Sequence, residues 1–259
     1  MIKKGINASP GIAIAKAIVY VKKELDIVRR QIDDVAAECA RFDEAVAQSR
    51  EQLSALQAKT ARELGEEEAA IFEAHAMFLD DPEFVGAIKT SIESEQRNAE
   101  AITQQIVDQF YAMFDAMDDP YFKGRAADIR DVGNRVLHNL MGIDIMDISN
   151  LSEDTIIIAE DLAPSDTAIM DKAHVKGFAT DIGSRTSHSA IMARGLEIPA
   201  ILGLGDITAT AQDGDTVIVD GSAGVIVVNP TAGELAMYRD KQRAPTRSEE
   251  RRVGKECRS

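Results

Sequence analysis

The chain has 259 residues, 45% of them hydrophobic and 5% aromatic, with no Trp and a formal net charge of −15. That length can bury one large or two ordinary cores, and the acidic balance argues against nucleic acid or an anionic membrane as partner and for a basic protein partner. No apolar run approaches the ~20 residues of a membrane span, and the start, Met-Ile-Lys-Lys-Gly, lacks the apolar core of a signal peptide, so a cytoplasmic location is expected.

Residues 6 to 21 carry a turn at Ser9-Pro10-Gly11 and one or two strands rich in β-branched residues. An isolated hairpin is marginal in water, so this piece must find sheet partners elsewhere. From about Gln31 to Gly65 the pattern becomes a long amphipathic helix, with Ile32, Val35, Ala36, Cys39, Phe42, Val46, Leu53 and Leu56 at helical spacing. Further helices are predicted over Glu67 to Leu79, Glu83 to Glu93, Ala99 to Met117 and Tyr121 to Leu140. Asp80-Asp81-Pro82 and Asp118-Asp119-Pro120 punctuate them, because proline disfavours helix in the residue before it. The result is an all-helical unit of bundle size.

From about Asp154 short strands are predicted at Thr155 to Ala159, Val175 to Thr180, Ala200 to Leu204, Thr216 to Val219 and Gly224 to Val228, with helices at Ser165 to Lys172 and His188 to Arg194. This alternation is α/β in character, and the orphan N-terminal strands are expected to complete its sheet. The predicted organisation is an α/β domain of residues 1–24 and 146–230, split by a helical subdomain of residues 25–145. Residues 231–246 form a linker with an exit helix from Glu234 to Arg243. Residues 247–259, with no apolar periodicity, read as an appended cloning tail. Cys257 lies in that tail, which leaves Cys39 alone and no internal disulfide available.

The chemistry gathers in Gly183 to Leu196, Gly-Ser-Arg-Thr-Ser-His-Ser-Ala-Ile-Met-Ala-Arg-Gly-Leu. Thr186 and Ser187 are N-cap types, so His188 is expected at a helix start, with Gly195 ending the helix in a left-handed conformation. Unpartnered N–H groups and the macrodipole at such a start suit an anion. His188, with Arg185 three residues back, is the leading candidate nucleophile for a phosphoryl group whose oxygens would be stabilised as they arrive. Taken alone, it reads more readily as a polar residue in a capping turn, and only the surrounding pattern shifts the balance. The histidines at 75, 138, 174 and 188 show no metal-ligand spacing.

Arg185-Thr186-Ser187-His188-Ser189-Ala190-Ile191-Met192-Ala193-Arg194, followed by Ile198-Pro199-Ala200, resembles the phosphohistidine signature of enzymes that take phosphoryl groups from phosphoenolpyruvate. Asn7-Ala8-Ser9-Pro10-Gly11-Ile12-Ala13, Gly65 to His75 and Arg125-Ala126-Ala127-Asp128-Ile129-Arg130-Asp131 extend the likeness over nearly the whole chain. Together they resemble the N-terminal half of the Enzyme I family, the phosphoenolpyruvate-protein phosphotransferases of bacterial sugar uptake. The resemblance implies a swivelling α/β phosphohistidine domain split by a helical subdomain that docks the phosphocarrier HPr. It further implies that phosphoenolpyruvate, Mg2+ and homodimerisation belong to a C-terminal barrel absent here, that this chain alone is a monomer, and that it needs no cofactor of its own.

Carried over position by position, His188 accepts the phosphoryl group through Nε2, Thr167 bonds the active imidazole and Arg185 steadies the phosphoryl group. Thr167 reads equally as an ordinary first-turn threonine. Glu66, Glu67, Ile71, Met77, Leu79, Glu83 and Arg125 align with or adjoin the HPr-docking surface, against the plainer reading that the apolar ones are core and the glutamates a solvated face. His75, between Phe72 and Phe78, reads as a packed or surface helix residue. Ser184 stands where the family commonly has glycine, and would be strained if that position needs positive φ. Two other readings remain open: the similar domain of a pyruvate phosphate dikinase or phosphoenolpyruvate synthase, disfavoured because no phosphate-loop signature is present, and a non-catalytic helical interaction module.

Overall fold

A computed structural model describes residues 1–22, 25–143, 148 and 151–243, the side chains of residues 120 and 121 excepted. The described residues form two compact units. One holds residues 1–21, 151–162 and 170–243; the other holds residues 22, 25–143, 148 and 163–169. Residues 247–259 and 244–246 of the expected linker lie outside the described residues.

The helical unit begins with α1 (Val35–Glu63). Its start falls four residues later than the apolar pattern predicts, because Asp34 caps it, accepting from the Ala37 N–H at 2.9 Å. Gln31 instead bridges Arg97. After Gly65 (φ 117) come α2 (Glu66–Asp80) and α3 (Pro82–Glu95). Asp81 caps α3 through the Glu83 N–H at 2.9 Å, with Pro82 in the first turn. The unit continues with α4 (Ala99–Asp115) and α5 (Pro120–Met141). Phe42, Leu53, Phe72, Phe84, Ile88, Ile102, Ile129 and Leu137 are buried in its core.

Arg41 of α1 joins three helices in this unit. It donates to Glu38 at 2.7 and 3.2 Å, to Glu100 of α4 at 2.7 and 2.9 Å and to the Leu140 carbonyl of α5 at 2.9 Å.

The α/β unit is one eight-stranded mixed sheet. In chain order its strands are β1 (Ile2–Lys4), β2 (Ile6–Ser9), β3 (Ile12–Tyr20), β4 (Thr155–Ala159), β5 (Val175–Thr180), β6 (Ala200–Leu202), β7 (Thr216–Asp220) and β8 (Val225–Val228). Their spatial order is β1-β8-β7-β3-β4-β5-β6-β2. Strands β3 to β6 run parallel; the pairs β1–β8, β7–β8, β3–β7 and β2–β6 are antiparallel. The sequence-adjacent parallel neighbours β3 and β4 are joined by the stretch that holds helices α1 to α5.

Strands β1 and β2 lie at opposite ends of that order, yet only Gly5 separates them. With Cα atoms ~3.8 Å apart along the chain, the two ends must meet, so the sheet curls into a closed ring with its seam at Gly5. Alternating residues fill the interior, among them Ala13, Ile156, Ile158, Ala179, Ile201, Val217, Val219, Ile226 and Val228. A Cβ at Gly5 would lie 2.6 Å from the Leu202 carbonyl oxygen, which explains why glycine occupies the seam. Tyr238 and Leu235 of α9 (Ala232–Arg243) cover Ile12, Ile14, Ile218 and Val227 outside the ring.

The segment at 163–169, read from the sequence as part of the α/β stretch, groups with the helices instead. Its short helix α6 (Pro164–Ile169) is held there by polar contacts. Arg135 donates to Ser165 Oγ at 2.9 Å, the Ser165 N–H to Asp131 at 3.3 Å, and Lys22 pairs with Asp166 at 2.7 Å.

Candidate functional site

Helix α7 (His188–Leu196) begins at His188, with Ser187 as N-cap. The approach turn depends on Gly183, whose φ of 126 is barred to ordinary L residues. Ser184 is not among the positive-φ residues, so serine there costs no backbone strain. Its carbonyl accepts from the Ser187 N–H at 3.2 Å and from Ser187 Oγ at 2.9 Å. Ser187 therefore spends its hydroxyl on the turn and on Ser189 Oγ, 2.9 Å away, rather than on the helix N–H groups. The helix runs through Gly195, and the left-handed position is Glu197 (φ 57). Ile198 packs at 8% exposure after it and donates its N–H to the Ala193 carbonyl, a closure of Schellman type.

Strand β2 supports this segment from below. Arg185 Nη2 donates to Asn7 Oδ1 at 2.8 Å. Arg194 Nη1 donates to the Ala8 carbonyl at 3.2 Å and to the Arg185 carbonyl at 3.3 Å. Ser9 Oγ donates to the Ala193 carbonyl at 3.3 Å. His188 is half-buried while Arg185 and Thr186 are exposed. The segment thus puts an imidazole at a helix start with a guanidinium three residues before it and hydroxyls at Thr186, Ser187 and Ser189, residue types able to hold a tetrahedral anion bonded to the ring.

In the helical unit, Met77, Phe78 and Ala74 of α2, Phe114 of α4, and Phe122 and Arg125 of α5 line a groove of about 480 Å3, with Asp80, Asp81 and Pro82 at the α2–α3 corner. Phe114 and Phe122 stack with centroids 5.9 Å apart. Met77 is 67% exposed, an unusual state for a methionine. Arg125 lies 3.6 Å from Asp128.

Family models for the N-terminal region of PEP-utilising enzymes and for their mobile domain match residues 4–125 and 151–224. Over 238 residues the chain is 52% identical to a phosphoenolpyruvate-protein phosphotransferase of Bacillus sp. (strain S), covering 92% of this chain and 41% of that protein. It is 48% identical over 241 residues to the enzyme of the same name from Bacillus subtilis (strain 168), covering 93% and 42%. A solution structure of Enzyme I superposes with a TM-score of 0.77 at 44% identity, covering 93% of this chain and 98% of that one. The chain belongs to the Enzyme I family. It spans about two fifths of the length of these curated relatives, and the N-terminal domain of Enzyme 1 - Nitrogen shares its fold at 26% identity with a TM-score of 0.62.

Within this Enzyme I chain the structure brings Arg185 into the His188 segment and Met77 and Arg125 onto one groove. Glu66 and Glu67 are exposed in the first turn of α2, Ile71 is half-buried one turn on, and Glu83 is exposed in the first turn of α3. Leu79 is corrected: it is 2% exposed and cannot face a partner. It shares the buried stripe of α2 with Ala69, Phe72 and His75, set by helical spacing. His75 packs there edge-on to Phe72, with Nε2 3.3 Å from Asp128. Thr167 sits on α6 in the helical unit, buried, its hydroxyl donating to the Pro164 carbonyl at 2.9 Å; as a hydroxyl it still has accepting capacity.

Sequence reasoning missed Phe114, Phe122, Asp80 and Asp81 at the groove, and Asn7 and Arg194 beneath the histidine. The aspartates were legible only as helix breakers. Two phenylalanines eight residues apart across a helix break carry no periodic signal.

Proposed function

We propose that this chain is the phosphohistidine-bearing part of a phosphoenolpyruvate-protein phosphotransferase and exchanges a phosphoryl group reversibly between His188 and a histidine of HPr. The observation that carries the proposal is His188 as the first residue of α7, with Arg185 three residues before it in the same turn. In the transfer, the P–N bond of phospho-HPr breaks as a P–N bond to His188 Nε2 forms. Charge spreads over the phosphoryl oxygens while positioning and electrostatics do most of the catalytic work. Both ends are phosphoramidates, so the equilibrium lies far to neither side. Arg185 steadies the phosphoryl oxygens, and the neutral His188 ring attacks through Nε2.

HPr docks, in this reading, at the groove of Met77, Phe114, Phe122 and Arg125, with Ile71 beside it and Glu66, Glu67 and Glu83 as an acidic rim. An apolar centre within an acidic rim suits a partner that is basic around an apolar patch. Phosphoenolpyruvate, Mg2+ and a homodimer interface belong to the part of the longer relatives that this chain does not span. Among the described residues no group of three or more His, Cys, Asp or Glu side chains could hold a metal ion, and no step here is assigned to one. The proposed setting is cytoplasmic sugar uptake, with no nucleic-acid or membrane partner. Among the described residues no helix is long and apolar enough to cross a membrane.

Intact-protein mass spectrometry after incubation with phospho-HPr tests the proposal. One acid-labile phosphoryl gain, absent in His188→Ala, is the expected result. No gain would overturn it, and gain from phosphoenolpyruvate and magnesium alone would mean that the phosphoenolpyruvate site lies within this chain.

A further inference from the structure

The motif Asn7-Ala8-Ser9-Pro10-Gly11 supplies no group that bonds the phosphoryl oxygens in the transfer just described, yet in the structure its first three residues all touch the histidine segment. Register between β2 and β6 runs Asn7 opposite Ile201 and Ser9 opposite Ala200, so Ala8 is an extra residue and β2 bulges there. A bulge re-aims the side chains beside it. Asn7 Oδ1 accepts from the Arg185 guanidinium, the Ala8 carbonyl accepts from Arg194, and Ser9 Oγ donates to the Ala193 carbonyl near the end of α7.

Arg194 also binds the Arg185 carbonyl. One guanidinium thus fixes the backbone of Arg185 against β2, one residue from Asn7, while Asn7 fixes the side chain. Without Asn7, Arg185 is an exposed arginine free to sample many rotamers, with a corresponding entropic cost to bring it back. With Asn7, one Nη2 N–H is committed and the planar fork is oriented, leaving its remaining N–H groups for an anion. Neither Asn7 nor Arg185 belongs to the core, so their contact does little for folding.

We infer that Asn7 is a positioning residue for phosphoryl transfer, aiming Arg185 at the phosphoryl group carried by His188. The inference rests on the carrier reading above. Because Asn7 acts through Arg185, its removal should matter only while Arg185 is present, and should slow the chemical step without changing partner affinity.

The test is single-turnover transfer from phospho-HPr to the wild-type chain, Asn7→Ala, Arg185→Ala and the double variant, with thermal melts of each. Asn7→Ala should lower the transfer rate about three- to tenfold, the scale of one hydrogen bond. KM for phospho-HPr and the melting temperature should stay unchanged. The double variant should be no slower than Arg185→Ala, and Asn7→Asp, which keeps the Oδ1 acceptor, should recover most of the rate. Losses that multiply in the double variant, or a change in KM or melting temperature in place of rate, would overturn the inference. A wild-type chain that accepts no phosphoryl group would overturn the carrier reading along with it, whereas a wild-type rate in Asn7→Ala would overturn the inference alone.

Discussion

Replacing Arg41 with Met removes the cation on which α1, α4 and α5 converge while keeping most of the apolar stem. Burial by itself would push the Glu38 and Glu100 carboxyls up, but the hydrogen bonds from Arg41 lead a set of contacts that outweighs it, and both are held below the ordinary glutamate value of 4.5. The Glu38 and Glu100 side chains are only 13% and 10% exposed. Breaking a buried ion pair from one side costs about 3–5 kcal/mol; the Arg41 side chain is 33% exposed, and solvent screening reduces the expected loss to about 2–3 kcal/mol. The sign with pH follows from the direction of the shifts. A depressed carboxyl contributes stability above its unfolded value and loses it as pH falls through its folded value. The deficit of Arg41→Met should therefore be full at pH 7 and shrink once the pH is below the ordinary glutamate range. Urea unfolding followed by helical circular dichroism at pH 7 and at about pH 3.5 reads both values. A deficit of equal size at the two pH values, or one under about 1 kcal/mol at pH 7, would refute the reasoning.

Gly183→Ala should destabilise the α/β unit by about 2–3 kcal/mol, because its φ of 126 is strained for alanine and the new Cβ would lie 3.2 Å from Leu202 Cβ and Cδ1. Ser184→Gly should change stability by less than about 1 kcal/mol; thermal melts of the two variants that come out alike would contradict the assignment of the turn. Burial first, and then the charge of Glu93, pushes the Cys39 thiol up. In a Cys257→Ser background iodoacetamide should modify Cys39 more slowly at pH 7.5 than it modifies free cysteine, with a rate still climbing above pH 9, and modification as fast as the free amino acid would count against that environment.

The elements that sequence alone defines well are those fixed by local chemistry. Asp81 and Pro82 stop one helix and start the next by a cap and a missing N–H, so α2 and α3 fall within a few residues of their predicted limits. β4 is a continuous apolar run buried on both faces, and β5 is buried throughout except at Lys176; the predicted limits of both coincide with the observed ones. What escaped depends on distant partners. Ile2-Lys3-Lys4 has no strand pattern and becomes β1 by pairing with β8. The four-residue helix α8 (Ile207–Thr210) is held by the carboxylate of Asp181, which accepts from Ile207, 26 residues away, and from Thr208. The same holds at the histidine: His188 and Arg185 stand in one motif, whereas Asn7 reaches Arg185 across 178 residues. Leu79 failed for the opposite reason, since its place in the motif was legible but the face of α2 it occupies is decided by packing.

The seam at Gly5 bears on how the chain is made. A ribosome releases residues 2–9 before any other part of the sheet, yet their partners in β6 and β8 emerge about two hundred residues later. The first nine residues must therefore wait unpaired while helices α1 to α5, whose contacts are mostly local, have time to assemble. Once β8 arrives, a single short segment pairs with both β8 and β6 and so covers an edge of each. Trimming those residues would uncover the edges of β6 and β8 at once, and the penalty would register as clumping of newly made chains before it registered in the proposed transfer.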